Sequence, residues 1–225
     1  FLISCTAINA NSAVLGLGNL GAEAALPVME GKAMLFRRFG GINAFPICLN
    51  TQDTEEIIET VRRIAPVFGG INLEDIAAPK SFEIEERLQD LGIPVFHDDQ
   101  HGTAIVVLGA LINAAKLVNK KLTDLKVVIN GAGAAGIAIA KLLRCVNHKK
   151  SSSCQPVKDI IICDSKGIIS KDRDNLNEVK LKTLSYSNFN NIQGSVIDAI
   201  KDADVFIGVS KGDVLKAEHI RTMAK

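Results

Sequence analysis

The stretch LKVVINGAGAAGIAIAKLL, residues 125–143, decides the fold class. Its apolar start is typical of a buried strand, its end continues as an apolar helix, and the glycine turn Gly131-Ala132-Gly133-Ala134-Ala135-Gly136 joins the two. Glycines in this context allow a tight turn, close approach of the backbone to a pyrophosphate and close packing of helix on strand. A purely structural turn is the alternative. The stretch predicts a Rossmann-type dinucleotide-binding unit.

The next apolar run downstream, residues 159–164, ends in Asp164, whose carboxylate can accept the ribose hydroxyls of a dinucleotide. Its distance from Gly131 exceeds the usual ~20 residues, and a polar loop at 147–158 accounts for the excess. Asp164 would repel a 2′-phosphate, which favours NAD⁺, whereas the nearby Lys166 could neutralise one. The sequence predicts NAD or NADP as the cofactor and leaves the choice open.

Strand-like and helix-like segments alternate from residue 53 onward, which predicts an α/β fold with mainly parallel sheets. Before the glycine turn we expect a helix capped by Asp53, a strand at 69–75, a helix capped by Ser81, a strand at 93–99 and a helix at 102–119. The polar stretch NKKLTD then predicts a domain boundary. Residues 1–119 would bind substrate and metal, and residues 120–225 would bind the nucleotide.

Two acidic pairs close neighbouring predicted strands: Glu74 with Asp75, and Asp98 with Asp99. A right-handed crossover makes these strands parallel, so both pairs should lie at the same edge of the sheet, where such folds bind ligands. Gathered carboxylates attract a hard cation such as Mg²⁺ or Mn²⁺. A solvated turn with ordinary surface charge is the alternative. The flanking His97 and His101 could indicate zinc or iron, but no cysteine is nearby.

Two further features have open interpretations. Lys32, in PVMEGKAMLF, could simply extend from an apolar face to water, or it could act as a general base near a divalent cation. A second G-x-G-x-x-G occurs at Gly16, Gly18 and Gly21. The strand predicted after it ends in Asn50 rather than an acidic residue, so we do not expect a nucleotide site there.

Composition excludes several classes of protein. The 225 residues carry 26 basic and 25 acidic side chains, a net charge of +1, which argues against a nucleic-acid or anionic-membrane partner. The first 22 residues are uncharged, but asparagines and glycines interrupt them, so no membrane span is expected. The five cysteines are scattered and odd in number. We expect reduced thiols in a cytoplasmic protein rather than a disulfide or zinc framework.

Four segments in order, VLGLGNLGAEAALPVMEGKAMLF, INLEDI, FHDDQHGTAIV and NGAGAAGIAIAKLL, closely resemble the malic enzymes, in particular the shorter bacterial type. The resemblance implies oxidation of (S)-malate by NAD⁺ or NADP⁺ and its decarboxylation to pyruvate and CO₂, with Mn²⁺ or Mg²⁺. It also implies a homo-oligomer, since malic enzymes are typically dimers or tetramers, and we expect a dimer. It implies that Lys32 is the catalytic base and that Asp98 supports it. The implied metal ligands are Glu74, Asp75 and Asp99, and the implied cofactor-binding residues are Gly131, Gly133, Ala134, Ala135, Gly136, Asp164, Gly208 and Ser210.

The sequence departs from the family's pattern at two places. The family's proton-donor tyrosine precedes the GLG motif, whereas the only tyrosine here is Tyr186. The family's substrate-binding asparagine follows the FIGVS segment and has no counterpart before Lys225. We therefore expect a chain truncated at both ends. Two alternatives stay open: a catalytically incomplete nucleotide-binding fragment, and an amino-acid dehydrogenase, which would not need the four carboxylates.

Overall fold

The computed structural model describes residues 4–10, 12, 14, 18–146 and 154–225. The chain divides into two compact units, Phe1–Asp99 and Gln100–Lys225. Each unit contains a four-stranded sheet with helices in the connections. The predicted α/β class, with parallel sheets and a Rossmann-type unit in the second half, is confirmed. Among the described residues, no helix has both the length and the apolar character that crossing a bilayer requires.

The first unit is built on a fully parallel sheet in the order β2-β1-β3-β4. Buried aliphatic side chains of β3, α2 and α3, among them Leu73, Ile57 and Ile84, form its core. The strands are β1 (Ser4–Asn9), β2 (Asn43–Cys48), β3 (Gly70–Glu74) and β4 (Val95–His97). The helices are α1 (Ala22–Leu35), continued by a π-helical turn (Phe36–Gly40), α2 (Thr54–Ile64) and α3 (Lys80–Arg87).

The two predicted helix caps in this unit have different outcomes. Asp53 caps α2 as expected, because its carboxylate accepts from the backbone N–H groups of Glu55 and Glu56. Ser81 is not a cap, since α3 begins at Lys80 and Ser81 lies buried inside its first turn. The cis peptide bond before Pro79 leads directly into the helix.

The helix α4 (Asp98–Leu117) begins four residues before its predicted start at residue 102. Strand β4 is only three residues long, so Asp98 and Asp99 belong to the first helical turn, where acidic side chains suit the helix dipole. Farther along α4, Ala104, Leu111 and Ala115 are buried in the core of the second unit. The compact units therefore separate between Asp99 and Gln100, rather than at residues 119 and 120 where the polar stretch suggested a boundary.

The second unit is built on a sheet in the order β7-β6-β5-β8, in which only β7 is antiparallel to its neighbour. The central strands β5 and β6 are almost fully buried, as their apolar runs indicated. The strands are β5 (Lys126–Asn130), β6 (Asp159–Asp164), β7 (Gly167–Ile168) and β8 (Val205–Gly208). The helices after α4 are α5 (Ala134–Leu143), α6 (Glu178–Thr183), α7 (Val196–Ala199) and α8 (Ala217–Ile220).

The structure corrects the expectation that all cysteines are reduced thiols. Cys145, just after α5, and Cys154, before β6, form a disulfide with their Cα atoms 6.2 Å apart. Cys5, Cys48 and Cys163 are free. The pair was missed because a spacing of nine residues is not diagnostic.

Candidate functional site

The acidic residues predicted at one sheet edge do come together. Glu74 is the last residue of β3, Asp75 follows it, and Asp99 lies in the first turn of α4, directly after β4. Strands β3 and β4 are paired, with Leu73 opposite His97, so their carboxyl ends are neighbours. Each of the three carboxylates offers an oxygen, and these atoms lie within 4.8 Å of one another.

Hydrogen bonds hold the residues of this acidic cluster in place. The backbone N–H of Asp75 donates to Asp99 Oδ2 at 2.9 Å, and the side-chain amide of Asn9 donates to Asp75 Oδ2. Ser12 Oγ donates to the carbonyl of Asp75 and accepts from the N–H of Ala77. Asp75 itself has a φ of 52°, a left-handed conformation that costs a non-glycine residue roughly 1–2 kcal/mol. These contacts offset that cost and fix the turn after β3.

Lys32 projects from α1 into contact with two of the predicted acidic residues. Its Nζ atom pairs with Glu74 Oε2 and donates to Asp98 Oδ2 at 2.7 Å. Burial would lower the pKa of Lys32, but the charges and hydrogen bonds of Glu74 and Asp98 raise it above its ordinary value. Burial raises the pKa of Glu74 to about 7, against the lowering influence of Lys32 and Asn72. The sequence left two interpretations of Lys32 open, and these contacts exclude the one in which its side chain extends to solvent.

The acidic cluster has the chemistry of a site for a hard divalent cation. Mg²⁺ takes oxygen ligands at about 2.1 Å, so two of its ligands lie at most about 4.2 Å apart, close to the spacing of these three carboxylates. The group contains oxygen donors and, among the described residues, neither a histidine nor a cysteine. His97 is fully buried, and its Nε2 lies 4.0 Å from Asp99 Oδ2. The donor set favours Mg²⁺ or Mn²⁺ over the zinc or iron alternative.

The glycine turn of the second unit has the geometry that its sequence predicted. Gly131 has a φ of 132°, and a Cβ there would lie 2.7 Å from the carbonyl oxygen of Val209. A Cβ on Gly136 would lie 1.7 Å from the carbonyl oxygen of Gly131, so only glycine fits. Gly133 is the N-cap of α5, and Ala134 and Ala135 are its first residues. Their N–H groups belong to the first turn, where a helix leaves donors for an anion.

The other predicted cofactor residues lie at the same end of this sheet. Gly208 closes β8 and is paired with Asn130, the last residue of β5, and Ser210 follows two residues later. Asp164 closes β6, on the other side of β5. The glycine turn is therefore flanked by the carboxyl ends of both neighbouring strands, the region where open α/β sheets bind ligands.

The carboxylate of Asp164 is already fully engaged. Arg173 binds it through two nitrogens, at 2.9 and 3.1 Å, and Lys180 Nζ lies 2.6 Å from Oδ2. The backbone N–H of Lys166 donates to Oδ1 at 2.9 Å. Although burial opposes it, the hydrogen bonds from Arg173 and Lys180 lower the pKa of Asp164 to about 2. Two cationic side chains thus contact the Asp164 carboxylate. The expectation that Asp164 binds the ribose hydroxyls did not anticipate these contacts.

The remaining sequence motifs make smaller contributions. Gly18 and Gly21 have φ values of 86° and 79°, and Gly21 is the N-cap of α1. Gly16, the first glycine of the second G-x-G-x-x-G, lies outside the described residues. Tyr186 packs against the core of the second unit, and burial raises its pKa to about 12. It is therefore poorly suited to donate a proton near neutral pH.

Sequence reasoning missed two asparagines at the acidic cluster. Asn9, at the end of β1, contacts Asp75, and Asn72, inside β3, donates to Glu74 Oε2 at 2.9 Å. The only available signal was an amide side chain within each apolar run, in AIN and INLED. Because a buried amide needs partners, that signal predicts a hydrogen bond but not its acceptor.

Comparison with known proteins agrees with both halves of this description. Residues 2–89 match the model of the malic enzyme N-terminal domain, and residues 100–225 match that of the malic enzyme NAD-binding domain. The bifunctional malic/malolactic enzyme of Bacillus subtilis is 57% identical over 95% of this chain and 50% of its own length. The NAD-dependent malic enzyme of Geobacillus stearothermophilus is 54% identical over 97% of this chain and 44% of its own length.

A solved structure shows the same relationship. The NAD-dependent malic enzyme of Thermotoga maritima superimposes with a TM-score of 0.92 at 47% identity, covering 99% of this chain and 58% of that protein. The chain thus spans about half the length of the curated relatives it matches. The resemblance noted in the sequence is confirmed, and the amino-acid dehydrogenase alternative is set aside: the chain belongs to the malic enzyme family.

Proposed function

We propose that the protein oxidises (S)-malate with NAD⁺ or NADP⁺ and decarboxylates the product to pyruvate and CO₂, and that this requires a divalent cation. One observation carries the proposal: Lys32 is held between Glu74 and Asp98, beside three carboxylates that suit a hard cation. The Bacillus and Geobacillus relatives are named as malic enzymes, and both align with nearly all of this chain. The geometry of the glycine turn supports the expected nucleotide site in the second unit.

The proposed cation site consists of Glu74, Asp75 and Asp99. Mg²⁺ or Mn²⁺ bound there would polarise the oxygen on C2 of malate and hold the adjacent carboxylate. Each of the three side chains contributes one oxygen.

Lys32 is the proposed general base. Its deprotonated Nζ would accept the proton from the C2 hydroxyl of malate as hydride leaves C2 for the nicotinamide. The adjacent carboxylates now favour the protonated ammonium. A divalent cation on Glu74 would compensate that negative charge and lower the pKa of Lys32 toward the range a base needs. Asp98 Oδ2, 2.7 Å from Nζ, stabilises the ammonium that forms after proton transfer.

The coenzyme site is proposed at the glycine turn, with the pyrophosphate at the N-terminus of α5. Gly208 and Ser210 would lie along the cofactor, and Asp164 would lie near the adenosine ribose. Asp164 is neutralised by Arg173 and Lys180, so the repulsion of a 2′-phosphate expected from its charge is removed. Relatives named as NADP-dependent malic enzymes are 44 and 51% identical to this chain. We infer that NADP⁺ is accepted as well as NAD⁺.

The proposal extends to assembly and location. Met34, Leu35 and Phe39 form an exposed apolar surface at the end of α1 and its π-helical turn, which supports a homodimer. Sedimentation of the protein tests this expectation. We place the protein in the cytoplasm, a compartment in which disulfides are rare. Trapping thiols with an alkylating reagent in intact cells tests that location.

The deciding experiment is malate-dependent reduction of NAD⁺ and of NADP⁺ by the protein, with Mn²⁺ and with EDTA. We expect reduction and pyruvate formation only with the metal. Equal rates in EDTA would reject the metal site. Binding of NADH without any turnover, in a chain extended to the length of its relatives, would favour the alternative of a nucleotide-binding protein without activity.

A further inference from the structure

Asn72 is a buried amide that no sequence motif singled out. It lies inside β3, two residues before Glu74, and is 4% exposed. Its Nδ2 atom donates to Glu74 Oε2 at 2.9 Å, while its Oδ1 atom is buried and accepts no hydrogen bond from the residues that the structure describes. Rotating the amide by half a turn would place Oδ1 against a carboxylate oxygen. The orientation of Asn72 is therefore set by Glu74, even though it leaves an acceptor unsatisfied.

The two donors that reach Glu74 use the same oxygen. Lys32 Nζ and Asn72 Nδ2 both contact Oε2, and within the described residues no donor contacts Oε1. One carboxylate oxygen is thus held inside the protein and the other is left for a further ligand. A cation that binds the cluster can take Oε1 without displacing either donor.

We propose that Asn72 is a positioning residue, whose hydrogen bond to Glu74 Oε2 fixes the orientation of the carboxylate and so leaves Oε1 for the cation. This inference rests on the proposed function, because it assigns a role toward the proposed metal. The amide is suited to the role because it is neutral. It stabilises the carboxylate without a positive charge that would repel the cation, whereas Lys32 contributes such a charge.

The orienting effect follows from general behaviour of metal sites. A metal-binding carboxylate with an unpaired second oxygen is free to rotate, and loss of an outer hydrogen bond to a ligand typically weakens metal binding about 10- to 100-fold. Asn9 makes the equivalent contact with Asp75, from the neighbouring strand, with Asn9 directly opposite Glu74 in the pairing. Two adjacent strands therefore each supply an amide to a proposed ligand.

The test measures Mn²⁺ binding to the protein without malate or coenzyme, by calorimetry and by the electron paramagnetic resonance signal of free Mn²⁺. Asn72→Val removes the donor and suits a strand, and Asn72→Gln retains an amide. Thr6→Val is the matched control, because Thr6 is a fully buried residue of the same sheet whose hydroxyl donates to the carbonyl of Phe45, not to the acidic cluster. Glu74→Gln removes a ligand.

We expect the dissociation constant for Mn²⁺ to rise about 10- to 100-fold in Asn72→Val, to stay within about threefold of wild type in Asn72→Gln, and to be unchanged in Thr6→Val even though its melting temperature falls. The positioning role would be overturned, and the metal site retained, if Asn72→Val left the Mn²⁺ affinity unchanged. Weakening of Mn²⁺ binding in Thr6→Val or in Asn72→Gln equal to that in Asn72→Val would have the same consequence. A wild-type protein that binds no Mn²⁺, or a Glu74→Gln variant with normal affinity, would overturn the proposed site as well. If Asn72→Val does not fold, Asn72→Ala replaces it in the same comparison.

Discussion

Lys32 shows how the protonation and the proposed role of a single side chain depend on the residues around it. In the sequence it is one lysine among apolar residues, and a position directed to solvent was the simpler interpretation. In the structure it bridges Glu74 and Asp98, which hold it protonated until the charge around it changes. The same contacts that stabilise the ammonium therefore make its pKa responsive to a bound cation.

The first prediction concerns the chemistry of Lys32. Lys32→Ala should lower the rate of malate oxidation about 10²- to 10⁴-fold, the usual contribution of a general base. Mn²⁺ affinity should be retained, because the proposed ligands are untouched. Initial rates of NADPH formation and Mn²⁺ titration measure the two effects. Lys80→Ala is the control, since Lys80 is an exposed lysine of the same unit whose ammonium donates to the carbonyl of Gln52. Normal turnover in Lys32→Ala would rule out its role as the base.

The second prediction concerns Lys180, which pairs with Asp164. Lys180→Gln should raise the KM for NADP⁺ about tenfold or more, because the 2′-phosphate would lose one charge-assisted contact with Lys180. Such a contact contributes about 1.5–3 kcal/mol. The KM for NAD⁺, which lacks the 2′-phosphate, should change much less. Steady-state kinetics with both coenzymes provide the measurement, and Lys182→Gln, on the exposed side of the same helix, provides the comparison. Equal effects on both coenzymes would show that Lys180 only supports the structure around Asp164.

At the scale of elements, the β5-α5-β6 unit is defined by close backbone contacts. Its glycine turn brings the backbone of Gly131 against Val209 and against Gly136. The far end of the same unit is closed by the Cys145–Cys154 disulfide and by Arg144, whose guanidinium donates to the carbonyl of Val157. A substitution at either end should therefore change the stability of the whole unit.

The third prediction tests the turn. Gly136→Ala should prevent nucleotide binding and destabilise the unit by about 1–3 kcal/mol or more, because its Cβ would lie 1.7 Å from the carbonyl oxygen of Gly131. Gly109→Ala is a matched control in α4, where a Cβ meets no described atom within 4 Å beyond the neighbouring backbone of its own helix. That control should be stabilising by up to about 1 kcal/mol. Fluorescence titration with NADH and thermal unfolding provide the measurements. Normal NADH binding by Gly136→Ala would contradict the structure of the turn.

The fourth prediction tests the disulfide. Protein denatured without reductant should show three reactive thiols, and reduced protein should show five. Closing so short a loop stabilises a fold by about 2–3 kcal/mol, so Cys145→Ser should unfold several degrees earlier than wild type under oxidising conditions. With dithiothreitol present the difference should disappear. Cys48→Ser serves as the control, since Cys48 is a free thiol of the other unit. Five thiols in the unreduced protein would show that the bond does not form.

At the scale of the whole molecule, two compact units share one continuous helix. Asp99, in the first turn of α4, belongs to the acidic cluster of the first unit, and the buried residues of the later turns of α4 belong to the core of the second. The second of the matched family models begins at the same place, residue 100, and the first ends at residue 89. The core of the second unit therefore includes residues of α4.

The fifth prediction follows from that division. A chain of residues 98–225 should fold cooperatively, whereas residues 120–225 should not. The shorter chain lacks Ala104, Leu111 and Ala115, which pack with Leu125 and Val127 in the core. Near-ultraviolet circular dichroism and thermal unfolding of both chains make the comparison. If residues 120–225 unfolded cooperatively at the same temperature as residues 98–225, the domain boundary would lie at the polar stretch of residues 119–124.

The class of fold and the positions of the nucleotide turn and the acidic pairs were readable from the sequence. These features are local: apolar runs with a period specify strands and helices, and a glycine turn between a strand and a helix has few possible conformations. Strand β1, the early start of α4 and the Cys145–Cys154 pairing were not readable, because each depends on which distant segment packs beside it.

The contacts around the proposed site were likewise not readable from the sequence. Asn72 meets Glu74, Lys32 lies between two carboxylates, and Arg173 and Lys180 meet at Asp164 only once the chain has folded. The type of a residue determines which bonds it can make, and its position in the chain determines which helix or strand contains it. Which partner it binds depends on the tertiary structure, because a buried charge or amide is stable only where its partner is buried beside it.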